Sequence, residues 1–238
     1  MSDKDSHKNR ISMNQICSCI EFSGPNCVGF LNNLLISDLS TLVHNKFHYT
    51  ALCNPKGRII SSLWINIIND DYLTLICPVS MQQELTTFFN MRKFRLKIEI
   101  KERNIAILMD SNGEIITDSK AINDSDSDSD SDINEFYNIL FGLNLPWINK
   151  ENSEKFIPQH VNLDQHENIM SFTKGCYPGQ EIIARMKFLG KIKKRMALVE
   201  DRSEPDLLEK IETKNQVSPI VCNQSNGFVV QVIEKLTD

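Results

Sequence analysis

The stretch FHYTALC (47–53), NPKG (54–57), RIISSLWINII (58–68), NDD (69–71) and YLTLIC (72–77) decides the fold. Three runs rich in β-branched and aromatic residues are divided by two turn-forming clusters, so they read as strands joined by hairpins. Upstream, Gln15–Phe22 (QICSCIEF) reads as a further strand. Ser23-Gly24-Pro25-Asn26 supplies turn and N-cap chemistry, and CVGFLNNLLISDL (27–39) carries apolar residues at helical spacing. Downstream, Ser80 and Gln83 form a capping box that opens the helix MQQELTTFFNMR (81–92), and Phe94–Lys101 alternates like a half-buried strand. The order β-α-β-β-β-α-β over residues 15–101 predicts an α+β fold, with helices on one face of small, largely antiparallel sheets.

The 238 residues are 41% hydrophobic and 24% charged, with a formal net charge of −5. These fractions exclude wholesale disorder, a collagen-like repeat and a disulfide-dense scaffold. The acidity is local. Residues 124–132 read DSDSDSDSD, and setting those five aspartates aside leaves acids and bases equal in number. Alternating Asp and Ser cannot bury apolar surface, so residues 119–132 read as a solvated, disordered linker, with serine phosphorylation as the sharper alternative. No apolar run reaches the ~18–20 residues of a membrane span, and the polar start (MSDKDSHKNR) shows no secretory signal. The seven scattered cysteines form no disulfide framework, and no local zinc-type spacing is present. The expectation is a cytoplasmic protein with no direct membrane contact and no metal site of its own.

Beyond residue 101, Asn104–Asp110, the Asn112-Gly113 turn and Glu114–Thr117 read as one more hairpin. After the acidic tract, INEFYNILF (133–141) is a short amphipathic helix stopped by Gly142 and Pro146. FIPQHVNL (156–163) is irregular, and the tail from Lys191 holds two strand-like pieces, too few for an independent barrel. The chain divides into a polar leader (1–13), an N-terminal α+β unit (14–118), the linker (119–132), a second α+β segment (133–190) and a short C-terminal β segment (191–238). RMKFLGKIKKR (185–195) is basic without an acid. It is either a solvated helix end and strand edge, or an anion-attracting rim.

Lys174-Gly175-Cys176-Tyr177-Pro178-Gly179-Gln180-Glu181 is the densest run of special residues. Pro178 has the look of a first helical position, which sets Cys176 just ahead of a helix N-terminus where a thiolate is favoured. Lys174 adds positive charge, and Gly175 and Gly179 allow close backbone approach or positive φ. The run suits an anion site, a nucleophilic thiol or a metal-binding thiolate. It equally suits a plain turn closing a sheet-to-helix junction around an inert cysteine. A Cys–His hydrolase would need His160 or His166 beside Cys176.

The block FIPQ (156–159) … Asn162-Leu163 … Ile169 … FTKGCYPGQE (172–181) … Ala184-Arg185 … Gly190 resembles the signature of the YgfZ-type folate-binding proteins. These are relatives of the glycine-cleavage T-protein and of mitochondrial iron–sulfur assembly factors. Ile20–Gly24, Phe30-Leu31-Asn32, Ser37-Asp38-Leu39 and ALCNPKGR (51–58) resemble that family's N-terminal half. The resemblance spans roughly residues 15–101 and 133–199.

The resemblance implies small α/β and β domains around a tetrahydrofolate site. It also implies support of iron–sulfur enzymes or cluster carriers, including one that methylthiolates tRNA; RNA contact is compatible with this but not required. Cys176 is then the functional centre, with Lys174 as its companion and Gly175, Tyr177, Gly179, Gln180, Glu181 and Arg185 as motif positions. A transient iron–sulfur cluster is a further implied cofactor. Two folate-associated aromatic positions fall on Phe136 and on Cys17, which is not aromatic. The alternative function is a folate-dependent aminomethyl transferase. That activity uses an acidic pair whose matching positions here are Ser61 and Ser62, which bring no negative charge. The sequence demands no turnover chemistry of its own.

Overall fold

The computed structural model describes residues 10–118, 130–212, 214–223 and 225–236. In chain order the first elements are strands β1 (Arg10–Ser12) and β2 (Cys17–Ser23), helix α1 (Cys27–Asn32), and strands β3 (Phe47–Cys53), β4 (Ile59–Asn69) and β5 (Tyr72–Pro78). Helix α2 (Gln82–Lys93), strand β6 (Glu99–Arg103) and a hairpin of β7 (Ala106–Asp110) and β8 (Ile115–Asp118) follow. Helices α3 (Asp130–Gly142) and α4 (Gln180–Phe188) are separated by a long irregular segment. The last described elements are β9 (Lys194–Asp201), α5 (Glu204–Ile211), β10 (Asn215–Gln216), β11 (Val221–Cys222) and β12 (Phe228–Lys235). Among the described residues no helix is long and apolar enough to cross a membrane.

The expected meander is the heart of a five-stranded antiparallel sheet ordered β3-β4-β5-β2-β6. Its inner strands read as near-continuous apolar runs because both faces are covered. On one face Ile20, Phe22, Leu63, Ile65 and Leu75 pack with residues of α1 and α2, where the Phe22 and Phe89 rings meet edge to face at 5.2 Å. Truncating such a buried ring costs about 3–5 kcal/mol. On the other face Cys17, Cys19, Tyr49, Trp64 and Ile76 pack against Phe136 and Leu140 of α3 and against Trp147 and Ile148 of the segment after it. The α+β class therefore holds, with α1 and α2 on one face and the later chain closing the other.

Local departures have local causes. The helix expected over 27–39 ends at Asn32, because Leu34, Leu35 and Ile36 are all buried and no single helix face can bury three consecutive residues. The chain instead runs beside β3, with Ile36 N–H donating to Ala51 O. The Ser80 capping box does not form. Residues Val79–Met81 make a 3-10 turn, and the Ser80 hydroxyl lies 3.5 Å from Lys150 N–H. The strand expected from Phe94 starts at Glu99, since Phe94 leaves α2 with φ of 40° and is exposed. Arg10–Ser12, read with the polar leader, form a strand pairing antiparallel with β7, and Met13 behind them is fully buried.

The remaining strands build two small sheets, β1-β7-β8 and β10-β12-β11, with β9 lying along β12 over eight residue pairs. Helix α5 closes the latter through Leu207 and Ile211 against Val230 and Val232. Of the acidic tract, residues 119–129 lie outside the described residues. Asp130 and Asp132 form the first turn of α3, where carboxylates complement the positive end of the helix dipole, so the helix starts earlier than the expected 133.

Candidate functional site

The KGCYPGQE loop is clamped from three directions. The first clamp is Lys174. Its ammonium donates to the carbonyls of Asn32 (2.5 Å), Leu35 (2.5 Å) and Ser37 (2.7 Å), which are the acceptors left free where α1 gives way to extended chain. The same ammonium lies 4.9 Å from the centre of the Tyr177 ring. Burial pushes Lys174 down to about 8, against the opposing pull of Asp38. All three N–H donors are taken by carbonyls, so none remains for the thiol of Cys176. Lys174 thus tethers this loop to the α1–β3 connection.

The second clamp is a glycine-on-glycine contact. Gly179, the residue before α4, has φ of +82°, and a Cβ there would lie 2.5 Å from Asn54 O and 2.6 Å from Gly57 Cα. Gly57 itself has φ of +72° and faces Ile182 and Ile183. The NPKGR hairpin and the KGCYPGQE loop, remote in sequence, thus touch at two positive-φ glycines: space and backbone conformation both exclude a side chain at Gly179, while at Gly57 the conformation disfavours one and the space is tight, at 3.3 Å. Pro178 accordingly lies two places before the helix, whose first residue is Gln180. The third clamp is Tyr177, which is buried, with its hydroxyl donating to Ser171 O at 3.2 Å and its pKa pushed up by burial. The Gln180 amide closes the loop on Lys174 O at 3.3 Å.

Between these anchors Cys176 is exposed, on a cavity of about 460 Å³ that Pro55, Gln180, Glu181 and Ile182 also line. A Cβ on Gly175 would meet nothing within 4 Å, so packing does not require glycine there. Glu181 is exposed in the first turn of α4 and Arg185 in its last. Cys17, Cys19, Cys27, Cys53 and Cys77 are buried. Desolvation by burial, as the main cause, pushes Cys19 and Cys77 up to about 12 and Cys27 to about 11. Cys222 is the other exposed thiol, on β11. Neither histidine named for hydrolase chemistry lines the Cys176 cavity: His166 contacts Asn144 O at 3.1 Å, and His160 lies in a different cleft. Among the described residues no group of three or more His, Cys, Asp or Glu could hold a metal ion.

Two residues of the motif blocks hold the loop's surroundings, through partners that the sequence does not show. The fully buried Gln159 amide donates to Ile183 O of α4 at 2.7 Å, and Arg58 donates to Lys155 O at 2.7 Å just before the FIPQ block. Trp147 was missed by sequence reasoning. Its ring lies 5.0 Å from Trp64 and 5.4 Å from Phe136, filling the centre of the molecule. Pro146 of the turn before it was the available signal, read there only as a helix stop.

Ser61 and Ser62 are both buried. The Ser62 hydroxyl accepts from Ile148 N–H (2.9 Å), contacts Tyr49 Oη (2.5 Å) and donates to Pro146 O (3.3 Å). Ser62 therefore fastens the Trp147 segment to β4, the Ser61 hydroxyl donates to Ser62 O at 3.0 Å, and neither offers a carboxylate. Phe136 is fully enclosed among Trp64, Tyr137 and Trp147. Cys17 shares that core but also lines a cavity of about 340 Å³, with Gln82, Glu102 and Asn104 on its rim.

This arrangement has the fold of a glycine-cleavage aminomethyltransferase. The crystal structure of the system's aminomethyltransferase T from Bartonella henselae superposes with a TM-score of 0.68, covering 95% of this chain and 78% of that one, at 12% identity. Sequence relatives narrow the class. The tRNA-modifying protein YgfZ of Blochmanniella pennsylvanica is 27% identical over 216 residues, which is 72% of this chain and 65% of that protein's own length. An uncharacterized Haemophilus influenzae protein is 28% identical over 212 residues, covering 75% of its length. The YgfZ of Serratia proteamaculans is 44% identical over a 69-residue segment. No family model matches the chain. The resemblance carried by the KGCYPGQE block is thereby borne out: the chain is similar to proteins named YgfZ and shares the T-protein fold.

Proposed function

We propose that this chain is a cytoplasmic, folate-binding accessory protein for iron–sulfur enzymes, acting in tRNA modification through the thiol of Cys176. The observation that carries the reading is the presentation of Cys176. It stands exposed on a loop fixed by Lys174, Tyr177 and the Gly57–Gly179 contact, while five other thiols are buried. A thiol held this way can serve as a redox partner or as one ligand of a transient cluster. Clusters take four protein ligands in the common case, so the remaining ligands would come from a partner such as a cluster carrier or client enzyme.

The residues fit a folate in part. Phe136 is sealed in the aromatic core, so the reading does not use it as a stacking surface. The cavity at Cys17 lies at the low end of ligand-site volumes, and Glu102, Asn104 and Gln82 bring the acceptors and donors that a pterin ring edge requires. We place the folate ring there. Bound folate would supply one-carbon or redox chemistry, and the side chains named hold and orient it. Ser61 and Ser62 lack the carboxylate an aminomethyl transfer would need, which favours the accessory role over the transferase alternative.

The test is complementation of a bacterial strain lacking its own YgfZ, scored for methylthiolated tRNA, together with titration by tetrahydrofolate. Restored methylthiolation and saturable folate binding are expected. No restoration at normal protein levels overturns the accessory role, and no binding at millimolar tetrahydrofolate overturns the folate assignment.

A further inference from the structure

A second site lies apart from Cys176. Arg58 at the end of the NPKG turn, Lys155 and His160 around the FIPQ block, Lys194 at the start of β9 and Lys214 beside β10 converge on one cavity of about 570 Å³. Among the described residues no carboxylate lines it. Phe156 and Ile233 form an apolar wall, and Asn215 and Gln216 complete the rim.

Lys214 is neutralised by Glu234 at 2.5 Å, and the neighbouring Arg195 by a two-pronged bond to Asp164 at 2.7 and 2.9 Å. Arg58 is satisfied only by neutral carbonyls, those of Lys155 and Glu154. Among the described residues Lys155 and Lys194 have no ion pair. The effect is felt by His160: burial and then the charges of Lys194, Arg58 and Arg195 push its imidazole below the usual histidine range. Like charges gathered around a concavity without a counter-charge raise the local concentration of anions. The basic run 185–195 contributes only Lys194 to this wall, so the site is made by folding and is not the run itself.

We infer that this cleft is a binding site for a phosphate-bearing ligand, with Lys155, Lys194, Arg58 and His160 contacting the phosphate oxygens and Phe156 and Ile233 flanking the attached sugar or ring. The volume suits a mononucleotide, free or as one unit of an RNA backbone. Arg and Lys together match phosphate by fork geometry and point charge respectively. The inference does not rest on the Cys176 reading, and either stands if the other fails.

The test uses the full chain and compares wild type with Lys155→Gln/Lys194→Gln by calorimetric titration. The probes are pyrophosphate, adenosine monophosphate and a short single-stranded RNA, at 50 and 200 mM salt. Wild type is expected to bind at least one of these, and the double variant to bind it at least tenfold more weakly with an unchanged thermal midpoint. For RNA, losing two phosphate contacts flattens the slope of log affinity on log salt by about 1.4. Binding of the mononucleotide identifies a free nucleotide as the source, and binding of RNA alone identifies the backbone; both support the site. No binding by any phosphate probe at 10 mM overturns it, as does equal binding by the variant. Tighter binding of a polyglutamate peptide than of every phosphate probe also overturns it, since that marks a carboxylate site.

Discussion

Replacing Lys174 with Met separates two roles that the motif lysine could have. Met keeps the stem length over the Tyr177 ring but removes the ammonium, leaving the Asn32, Leu35 and Ser37 carbonyls without their donor. Bonds to a charged donor are worth about 1.5–3 kcal/mol each, and water recovers part of that at a half-buried site. Taking about 1 kcal/mol per carbonyl gives a loss of about 3 kcal/mol. For a chain of this size each kcal/mol moves the midpoint by about 2–4 °C, so a fall of about 6–12 °C is expected. The assay is thermal unfolding followed by circular dichroism, with the rate of Cys176 alkylation measured against pH on the folded variant. The tether account expects the midpoint to fall and the pH of half-maximal alkylation to stay put. An unchanged midpoint with an alkylation profile moved to higher pH would refute it, and would return Lys174 to the role of poising the thiol.

Gly179→Ala forces a left-handed backbone on a side chain, at about 1–2 kcal/mol, and drives its Cβ into Asn54 O, at about 1–3 kcal/mol more, whereas Gly175→Ala should change stability by less than about 0.5 kcal/mol; urea midpoints compare the two. Ser62→Ala strips the partner from Ile148 N–H and should cost about 1–3 kcal/mol by the same measurement. Native protein treated with iodoacetamide at pH 7.5 should be modified at Cys176 and Cys222 by peptide mass mapping, with the five buried thiols reacting only after denaturation. Lys174 gives a pH signature. Its folded pKa of about 8 lies below the ordinary lysine value of 10.5, so between those values the unfolded chain binds a proton that the native state does not. Wild-type stability should therefore rise with pH across that window relative to Lys174→Met, as read from urea unfolding at a series of pH values.

The sheet was legible in the sequence because its meander is local: NPKG and NDD mark the turns, and β-branched runs mark the strands. Elements set by tertiary packing were not. The stop of α1 at Asn32 depends on Leu34–Ile36 being buried beside β3, and the start of β6 at Glu99 depends on pairing with β2. Cys176 was visible as part of a dense motif, and its exposure follows from the clamps around it. The partners of Lys174 were not visible, since its three carbonyls lie some 140 residues away and backbone acceptors carry no sequence signature. Phe136 is a folate-associated position only through the family resemblance, and the sequence shows none of its packing partners. Folding supplies Trp64 and Trp147 and encloses it. The basic cleft stayed hidden for the same reason, its five side chains coming from separate stretches of chain.

The central claim is that the exposed thiol of Cys176 is the reacting group. It is tested most directly by the level of methylthiolated tRNA in a strain lacking its own YgfZ and carrying Cys176→Ala or Cys222→Ala at matched protein levels. The account expects Cys222→Ala to restore methylthiolation as wild type does, and Cys176→Ala to leave it at the level of the empty strain. Full restoration by Cys176→Ala would contradict it.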